Sequence, residues 1–455
     1  MGAGASERRS AEEEKRMGES FMRQVRQALP VSDDPELEDY IQNLGFRLVS
    51  HGEQHERPFN FFIVNESSIN AFAGPGGYIG MHAGLILATE SESELAAVLA
   101  HEIAHVSQRH LDRAMDAADK LSIPTAGAII AALILGSRDV LLAEAAIAAT
   151  LAASIQKQLN FTRAHEQEAD HIGIRTLASA GYDTRAMSQF FERLQQNDQL
   201  YNNELPEFLR THPVTTQRIA ESRSRADRHP PPGLPDQQLY HLMRAKLRVL
   251  AAKDPARLVQ SYEASLKEGR HQNLFAARYG YALALAKQGR YNRARDELEN
   301  LIRDDRERIT YAVALAQIYA DEGSTSTALH IYRDALSLTP GNSTLTRLYA
   351  NALIAGGEAE QARAVLQAYI GRNAESPQAW QLLAKAWGVL DKPVEAHRAL
   401  AELYYLRGQT RFAVSHLQLA LQQKAIPFDE KERIEGRLKE LKLIALEEQQ
   451  LYGQP

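Results

Sequence analysis

The apolar positions of the chain change their spacing several times, and each change marks a different kind of structure. Leu37, Ile41, Leu44 and Leu48 recur at three- and four-residue steps within residues 34–50, the stripe of an amphipathic helix. A polar-faced helix ahead of it closes over Arg26 to Pro30. Phe59 to Val64 is an aromatic and β-branched run of strand length. Asn70 to Gly77 is rich in turn formers and reads as a loop, and Tyr78 to Leu87 reads as a second strand leaving it. That strand could take an extended substrate by strand addition. Helical spacing returns at Leu95, Val98, Leu99 and Ile103, behind the capping run Ser91-Glu92-Ser93-Glu94.

From about residue 238 onward the pattern is helical with almost no strand signal, and it repeats. Gly289, Gly323 and Gly357 lie 34 residues apart, and each is followed five residues later by Ala294, Ala328 and Ala362. Ala396 continues the series, with Asp391 where the glycine would be. Small side chains allow paired helices to approach closely, and glycine suits the turn between them. A 34-residue period with a proline after the second helix, as at Pro340, is the tetratricopeptide signature. The proline-rich run His229 to Pro235 reads as a stiff linker between the halves.

Composition narrows the function classes. At 455 residues the chain calls for more than one domain, and 44% hydrophobic with 24% charged residues is globular. A net charge of −6 and the lack of any nucleic-acid motif argue against a nucleic-acid partner. With no cysteine, thiolate ligands, cysteine nucleophiles and disulfides are excluded together. The first twenty residues hold no apolar stretch like a signal peptide, which fits a cytosolic chain or one trimmed to its mature form. Gly2 with Ser6 matches a myristoylation pattern, a motif too short to decide anything. Thr125 to Gly136 and Val140 to Ala153 are apolar but fall short of a membrane span, and read as two buried Ala-rich helices.

The chemistry sits in His101-Glu102-Ile103-Ala104-His105. Residues four apart share a helix face, so both imidazoles can reach one zinc ion. Glu102, one step round, is placed to take a proton from an attacking water. A catalytic zinc needs a third protein ligand. Six residues past His105 stands Leu111, not a histidine, and His110 would fall about 140° round the helix from His105, off the face. In Glu166-Gln167-Glu168-Ala169-Asp170, Glu166 and Asp170 share a face and Glu168 points elsewhere. Glu166 is therefore expected as third ligand to one zinc per chain. Asp170 is expected beside it, orienting a ligating histidine or handling a proton. His82, His165 and His171 read as ordinary surface or packed histidines, while Arg109 and Arg163 could bind carboxylates near the motifs.

Together with Asn70-Ala71-Phe72-Ala73, Pro75-Gly76-Gly77-Tyr78-Ile79 and the tetratricopeptide tail, these motifs resemble the metallopeptidase family of HtpX and the CAAX prenyl endopeptidase. The likeness is to its periplasmic, tetratricopeptide-tailed members, and covers nearly the whole chain from about residue 12. It implies zinc ligation by His101, His105 and Glu166, with Glu102 as general base and Asp170 as proton donor. It also implies a loop histidine near the zinc, matched by His212 in Arg210-Thr211-His212-Pro213, as a possible fourth, regulatory ligand. The implied role is periplasmic quality control and assembly of outer-membrane β-barrel proteins, with misassembled ones degraded. Those proteins and their assembly machinery would be the partners of the tail. The competing reading is a tetratricopeptide chaperone or adaptor with a largely latent peptidase half. A membrane-embedded relative acting on lipidated peptides is disfavoured by the missing spanning segments. The fold expected is an α+β zincin-type metallopeptidase domain over 1–228, a Pro-rich linker over 229–237, and an all-α tetratricopeptide solenoid over 238–455.

Overall fold

The computed structural model describes residues 11–52, 58–113, 152–198, 206–229, 238–306, 308–423 and 426–452. The Ala-rich pair expected over 125–153 falls almost wholly outside these residues, as do most of the linker and the Gly2 motif. The chain divides into two compact units. Met1–Ser32 with Tyr40–Tyr240 forms the first, and Asp33–Asp39 with His241–Pro455 the second.

The first unit opens with helices α1 (Ala11–Ala28) and α2 (Pro35–Ser50). Strands β1 (Asn60–Val64), β2 (Ala71–Ala73) and β3 (Tyr78–His82) form one sheet in the order β1-β3-β2. β1 runs parallel to β3, from Asn60 opposite Tyr78 to Val64 opposite His82, and β2 runs antiparallel to it. Phe21, Met22 and Val25 of α1 pack on Phe62, Val64, Phe72 and Tyr78 of the sheet, which buries one apolar face.

Two sequence expectations need correction here. The strand expected over 78–87 ends at His82, because Ala83–Ala88 forms a short helix, α3. That run of Ala, Gly, Leu and Ile has just one β-branched residue, and its alanines and leucines favour a helix. The loop expected over 70–77 contains β2, a strand of three residues, too short to show alternation. β3 is thus the central strand, hydrogen-bonded on both edges, and cannot accept an added substrate strand.

Helix α4 (Glu92–Ser107) begins at Ser91, whose hydroxyl accepts the Glu94 N–H. Its Leu95, Leu99, Ala100, Ile103 and Ala104 are buried on all sides, as in a helix threaded through a core. It packs against α5 (Ala152–Ser179), where Gly173 permits close approach. A Cβ at Gly173 would stand 3.3 Å from the His101 backbone nitrogen. Helices α6 (Ala186–Asp198), α7 (Glu207–Thr211) and α8 (Thr216–Ala226) complete the described part of this unit with the start of α9 (Gln238–Ala251).

The second unit is helical throughout its described residues. α9 and α10 (Pro255–Lys267) make the first helix pair. There follow α11 (Leu274–Lys287) with α12 (Tyr291–Asp304), α13 (Ile309–Asp321) with α14 (Thr325–Leu338), and α15 (Ser343–Ala355) with α16 (Ala359–Ile370). α17 (Pro377–Val389) with α18 (Pro393–Leu406) and α19 (Thr410–Leu421) with α20 (Phe428–Tyr452) end the series. The repeat alanines Ala294, Ala328 and Ala362 are fully buried at the helix crossings. The three repeat glycines take φ of 74°, 85° and 81°, and Asp391 at the matching position takes φ 54°. A left-handed turn is therefore required at this point of each repeat, and aspartate is among the few other residues that tolerate it.

Candidate metal centre

α4 presents His101 and His105 on one face, and α5 brings Glu166 opposite them. His212, just past the end of α7, completes a group of four whose donor atoms all lie within 4.8 Å of one another. His101 Nε2 is 3.0 Å from His105 Nε2, 3.3 Å from His212 Nδ1 and 3.3 Å from Glu166 Oε2. Glu166 Oε1 is 3.4 Å from His105 Nε2 and 3.0 Å from His212 Nδ1. Zinc bonds of about 2.0–2.1 Å in a tetrahedron imply ligand-to-ligand edges of roughly 3.3–3.4 Å. The five separations above, taken through both Glu166 oxygens, run from 3.0 to 3.4 Å, so the four groups can gather round one small cation.

The far sides of the two helix imidazoles support the same fit. Asp170 Oδ1 lies 3.0 Å from His101 Nδ1. His110 Nδ1 lies 2.9 Å from His105 Nδ1, and His110 Nε2 lies 3.1 Å from Glu168 Oε2. Protons assigned to His105 Nδ1 and His110 Nε2 satisfy the last two contacts, and with a proton on His101 Nδ1 that ring faces Asp170 at ion-pair distance. Both ligand imidazoles then turn a bare Nε2 toward the centre, the state a metal requires. Burial drives His105 down to about 3 and His110 to about 4, whereas at His101 burial is outweighed by Asp170 and Glu166, which raise its pKa to about 10 in the metal-free site.

His110 corrects the helical phasing. α4 ends at Ser107, and Arg109 takes φ 56°, so His110 folds back behind His105 instead of pointing away. His165, expected as an ordinary packed histidine, is buried and stacks on the His110 ring at 4.0 Å between centroids. Arg109 does bind a carboxylate, that of Glu14 at 3.2 Å, whereas Arg163 is exposed. His82 is buried against Ser68, and His171 is exposed.

Arg218, which sequence reasoning passed over, holds the rear of the site. Its Nε and Nη2 donate to the two oxygens of Asp170 at 2.7 and 2.8 Å. Its Nη1 lies 2.9 Å from Glu166 Oε2 and donates to the Pro213 carbonyl at 2.8 Å. One buried guanidinium thus ties α8 to α5 and to the His212 loop. A signal was present. Thr215 caps α8 by accepting the Arg218 N–H, which puts a cation in the first helical turn, where the helix dipole disfavours it. Such a placement asks for a local carboxylate.

Asp170 and Glu166 are both held below the usual carboxylate range. Burial opposes this, but Arg218 and His101 outweigh it at Asp170, and His212, His105 and His101 outweigh it at Glu166. Glu102 is fully buried, and neither carboxylate oxygen makes a hydrogen bond within the protein; the His212 Nε2 stands 3.5 Å from Oε1. Burial pushes the Glu102 pKa up, offset in part by the histidines. Three buried carboxylates face one fixed cation, a balance that a divalent cation completes. A carboxylate left unpaired in a dry pocket costs several kcal/mol, on the order of the cost of an uncompensated buried charge, and so calls for a functional reason.

A histidine pair on one helix, a carboxylate from a second helix and an unpaired glutamate beside them define a metallopeptidase. Comparison with known proteins agrees. The sequence model of Peptidase family M48 matches residues 35–226, and that of a tetratricopeptide repeat matches 319–386. The β-barrel assembly-enhancing protease of Escherichia coli (strain K12) is 33% identical over 444 residues, 98% of this chain and 91% of that protein. Its Yersinia pestis counterpart is 32% identical over 446 residues, again 98% and 91%. The mitochondrial metalloendopeptidase OMA1 of Arabidopsis thaliana is 34% identical over 151 residues, 33% of this chain and 28% of that one. The chain belongs to the β-barrel assembly-enhancing proteases, a group that joins an M48 peptidase domain to tetratricopeptide repeats. It is a metalloprotease, and no helix among its described residues is long and apolar enough to cross a membrane.

Proposed function

We propose that the chain is a zinc endopeptidase of the periplasm that degrades misassembled outer-membrane β-barrel proteins and assists assembly of others. The observation that carries the chemistry is the gathering of His101, His105, Glu166 and His212 donor atoms within 4.8 Å of one another, with the Glu102 carboxylate free of hydrogen bonds within the protein beside it. His101, His105 and Glu166 would hold a zinc ion, which when bound would supply Lewis acidity toward a water and the scissile carbonyl. Glu102 takes the proton of the attacking water and passes it to the leaving amine, a task for which its raised pKa suits it. Asp170 is read as a positioning residue: with both oxygens on Arg218, it holds the His101 ring and its tautomer. The substrate backbone has a place to add at the outer edge of β2, the edge strand of the sheet packed on α4. The names of the relatives support the β-barrel substrate class, and the repeats support docking of a protein partner.

Removing the metal with ortho-phenanthroline should abolish casein cleavage, and returning one equivalent of zinc should restore it. Cleavage that survives complete metal removal would end the zinc reading.

The chaperone reading with a latent peptidase has one observation in its favour. His212 Nδ1 occupies the fourth donor position, and its Nε2 faces Glu102, so one loop side chain covers the metal position and the base together. A filled fourth position makes a closed, structural-type site. Pro213 keeps His212 out of the helical region, at φ −124° and ψ 78°, and Arg218 grips the Pro213 carbonyl, so the loop is held in this pose. His212→Ala should raise basal proteolysis and self-cleavage severalfold while zinc remains bound. The absorption spectrum of the cobalt-substituted protein should shift with the lost nitrogen. An unchanged rate and spectrum would return His212 to a packing role.

A further inference from the structure

The acidic run Asp33-Asp34-Pro35-Glu36-Leu37-Glu38-Asp39 clusters with the tetratricopeptide unit, although the chain on both sides of it belongs to the other unit. Within that unit it is gripped by side chains from the first helices of the pairs. Lys246 of α9 sets its Nζ 2.7 Å from Asp34 Oδ2 and 2.7 Å from Glu36 Oε2. Arg347 of α15 donates to Glu38 Oε2 at 2.5 Å and lies 3.6 Å from Asp39 Oδ1. Thr344 donates its backbone N–H to Asp39 Oδ2 at 2.9 Å, and its hydroxyl lies 2.6 Å from the same oxygen and 2.9 Å from the Pro35 carbonyl.

These are not surface ion pairs. The Arg347 side chain is 3% exposed and that of Lys246 14%. A cation so enclosed is tolerated only with a carboxylate against it. Tyr279 of α11, fully buried, makes no hydrogen bond through its hydroxyl, and burial with the Glu36 and Asp34 charges keeps it protonated. Tyr279 and Arg347 are 68 residues apart, two repeats, so they hold the same repeat position. The first helices therefore carry a lysine, a buried phenol, and an arginine with a threonine, the phenol and the arginine at one repeat position.

We propose that the groove along the first helices of the solenoid is a binding site for acidic peptide segments, and that residues 33–39 occupy it in cis. The ligand class is a short extended or turn-forming peptide with carboxylates two residues apart at one end and an adjacent acidic pair at the other. A cis occupant enjoys an effective concentration on the order of millimolar, so an acidic segment of another protein must displace it to bind. The proposal concerns the solenoid alone and does not depend on the peptidase chemistry.

The test uses the full chain and a fluorescein-labelled peptide, Ser-Asp-Asp-Pro-Glu-Leu-Glu-Asp-Tyr, followed by anisotropy. Asp34→Asn, Glu36→Gln, Glu38→Gln and Asp39→Asn combined remove the cis charges, while asparagine still caps α2, as Asp34 does for the Glu36 and Leu37 N–H groups. This chain should bind the peptide at least tenfold more tightly than the unaltered one. Adding Lys246→Met and Arg347→Met should remove that gain. If the four-fold variant does not fold, Glu38→Gln with Asp39→Asn alone should give a three- to tenfold gain. No gain in the folded variant, or a gain that survives loss of Lys246 and Arg347, overturns the proposal.

Discussion

Glu102→Gln should abolish measurable proteolysis while fold and metal content stay as they were. Glu102 sits at the second position of the α4 motif, fully buried, with both oxygens free of hydrogen bonds within the protein. A group in that state is held ready for a proton, and an amide of the same shape cannot accept one. Loss of a general base costs ~10²–10⁴-fold or more in rate. Because Glu102 makes no hydrogen bond within the protein, the substitution breaks none, and it removes a buried ionisable group. The thermal midpoint should therefore hold or rise slightly. Casein cleavage and a melting curve on the same preparation check both halves, and full activity in the variant would remove the mechanism.

Arg218→Met should show the largest loss of stability of any single change at the site. Its guanidinium is the one fixed cation against Asp170 and Glu166 among the described residues, and all three side chains are at most 6% exposed. Removing one partner from a buried charged network leaves the others uncompensated, which costs about 3–5 kcal/mol. The same change frees the Pro213 carbonyl and lets Asp170 drift from His101. Loss of a group that orients a metal ligand weakens metal binding by about 10–100-fold. Arg218→Lys should rescue only part of this, because an ammonium cannot span both Asp170 oxygens in a planar fork. Denaturant unfolding and a zinc-competition titration read the two effects separately. A variant as stable as the parent, with equal zinc affinity, would show that the network is ornamental.

Much of this architecture is written in local patterns. The ligand helix was legible because its cap, its apolar period and the four-residue step between histidines all agree. The repeats were legible because each turn demands a left-handed residue at one fixed place, and even the exception, Asp391, keeps the conformation. The misses have local causes as well. β2 is three residues long and gives no alternation, so the central position of β3 could not be seen. His110 was phased on an α4 that was assumed to continue, while the chain leaves the helix through the positive φ of Arg109. Arg218 lies 48 residues from Asp170, and nothing in spacing links them. Its one trace was a cation in a helix's first turn. The acidic run at 33–39 lay unremarked at the start of the α2 pattern, where Asp34 caps the helix, and its second set of partners lies more than 200 residues away.

The central claim is that His101, His105 and Glu166 hold one metal. Elemental analysis of the purified chain beside Glu166→Ala and Glu168→Ala tests it most directly, because those two carboxylates are neighbours on α5 with opposite assignments. Glu166 faces His101, His105 and His212, whereas Glu168 meets His110 and Arg113 behind the ligands. The account predicts one zinc per chain in the parent, nearly the same in Glu168→Ala, and little in Glu166→Ala. Full zinc in Glu166→Ala, or its loss in Glu168→Ala alone, would contradict it.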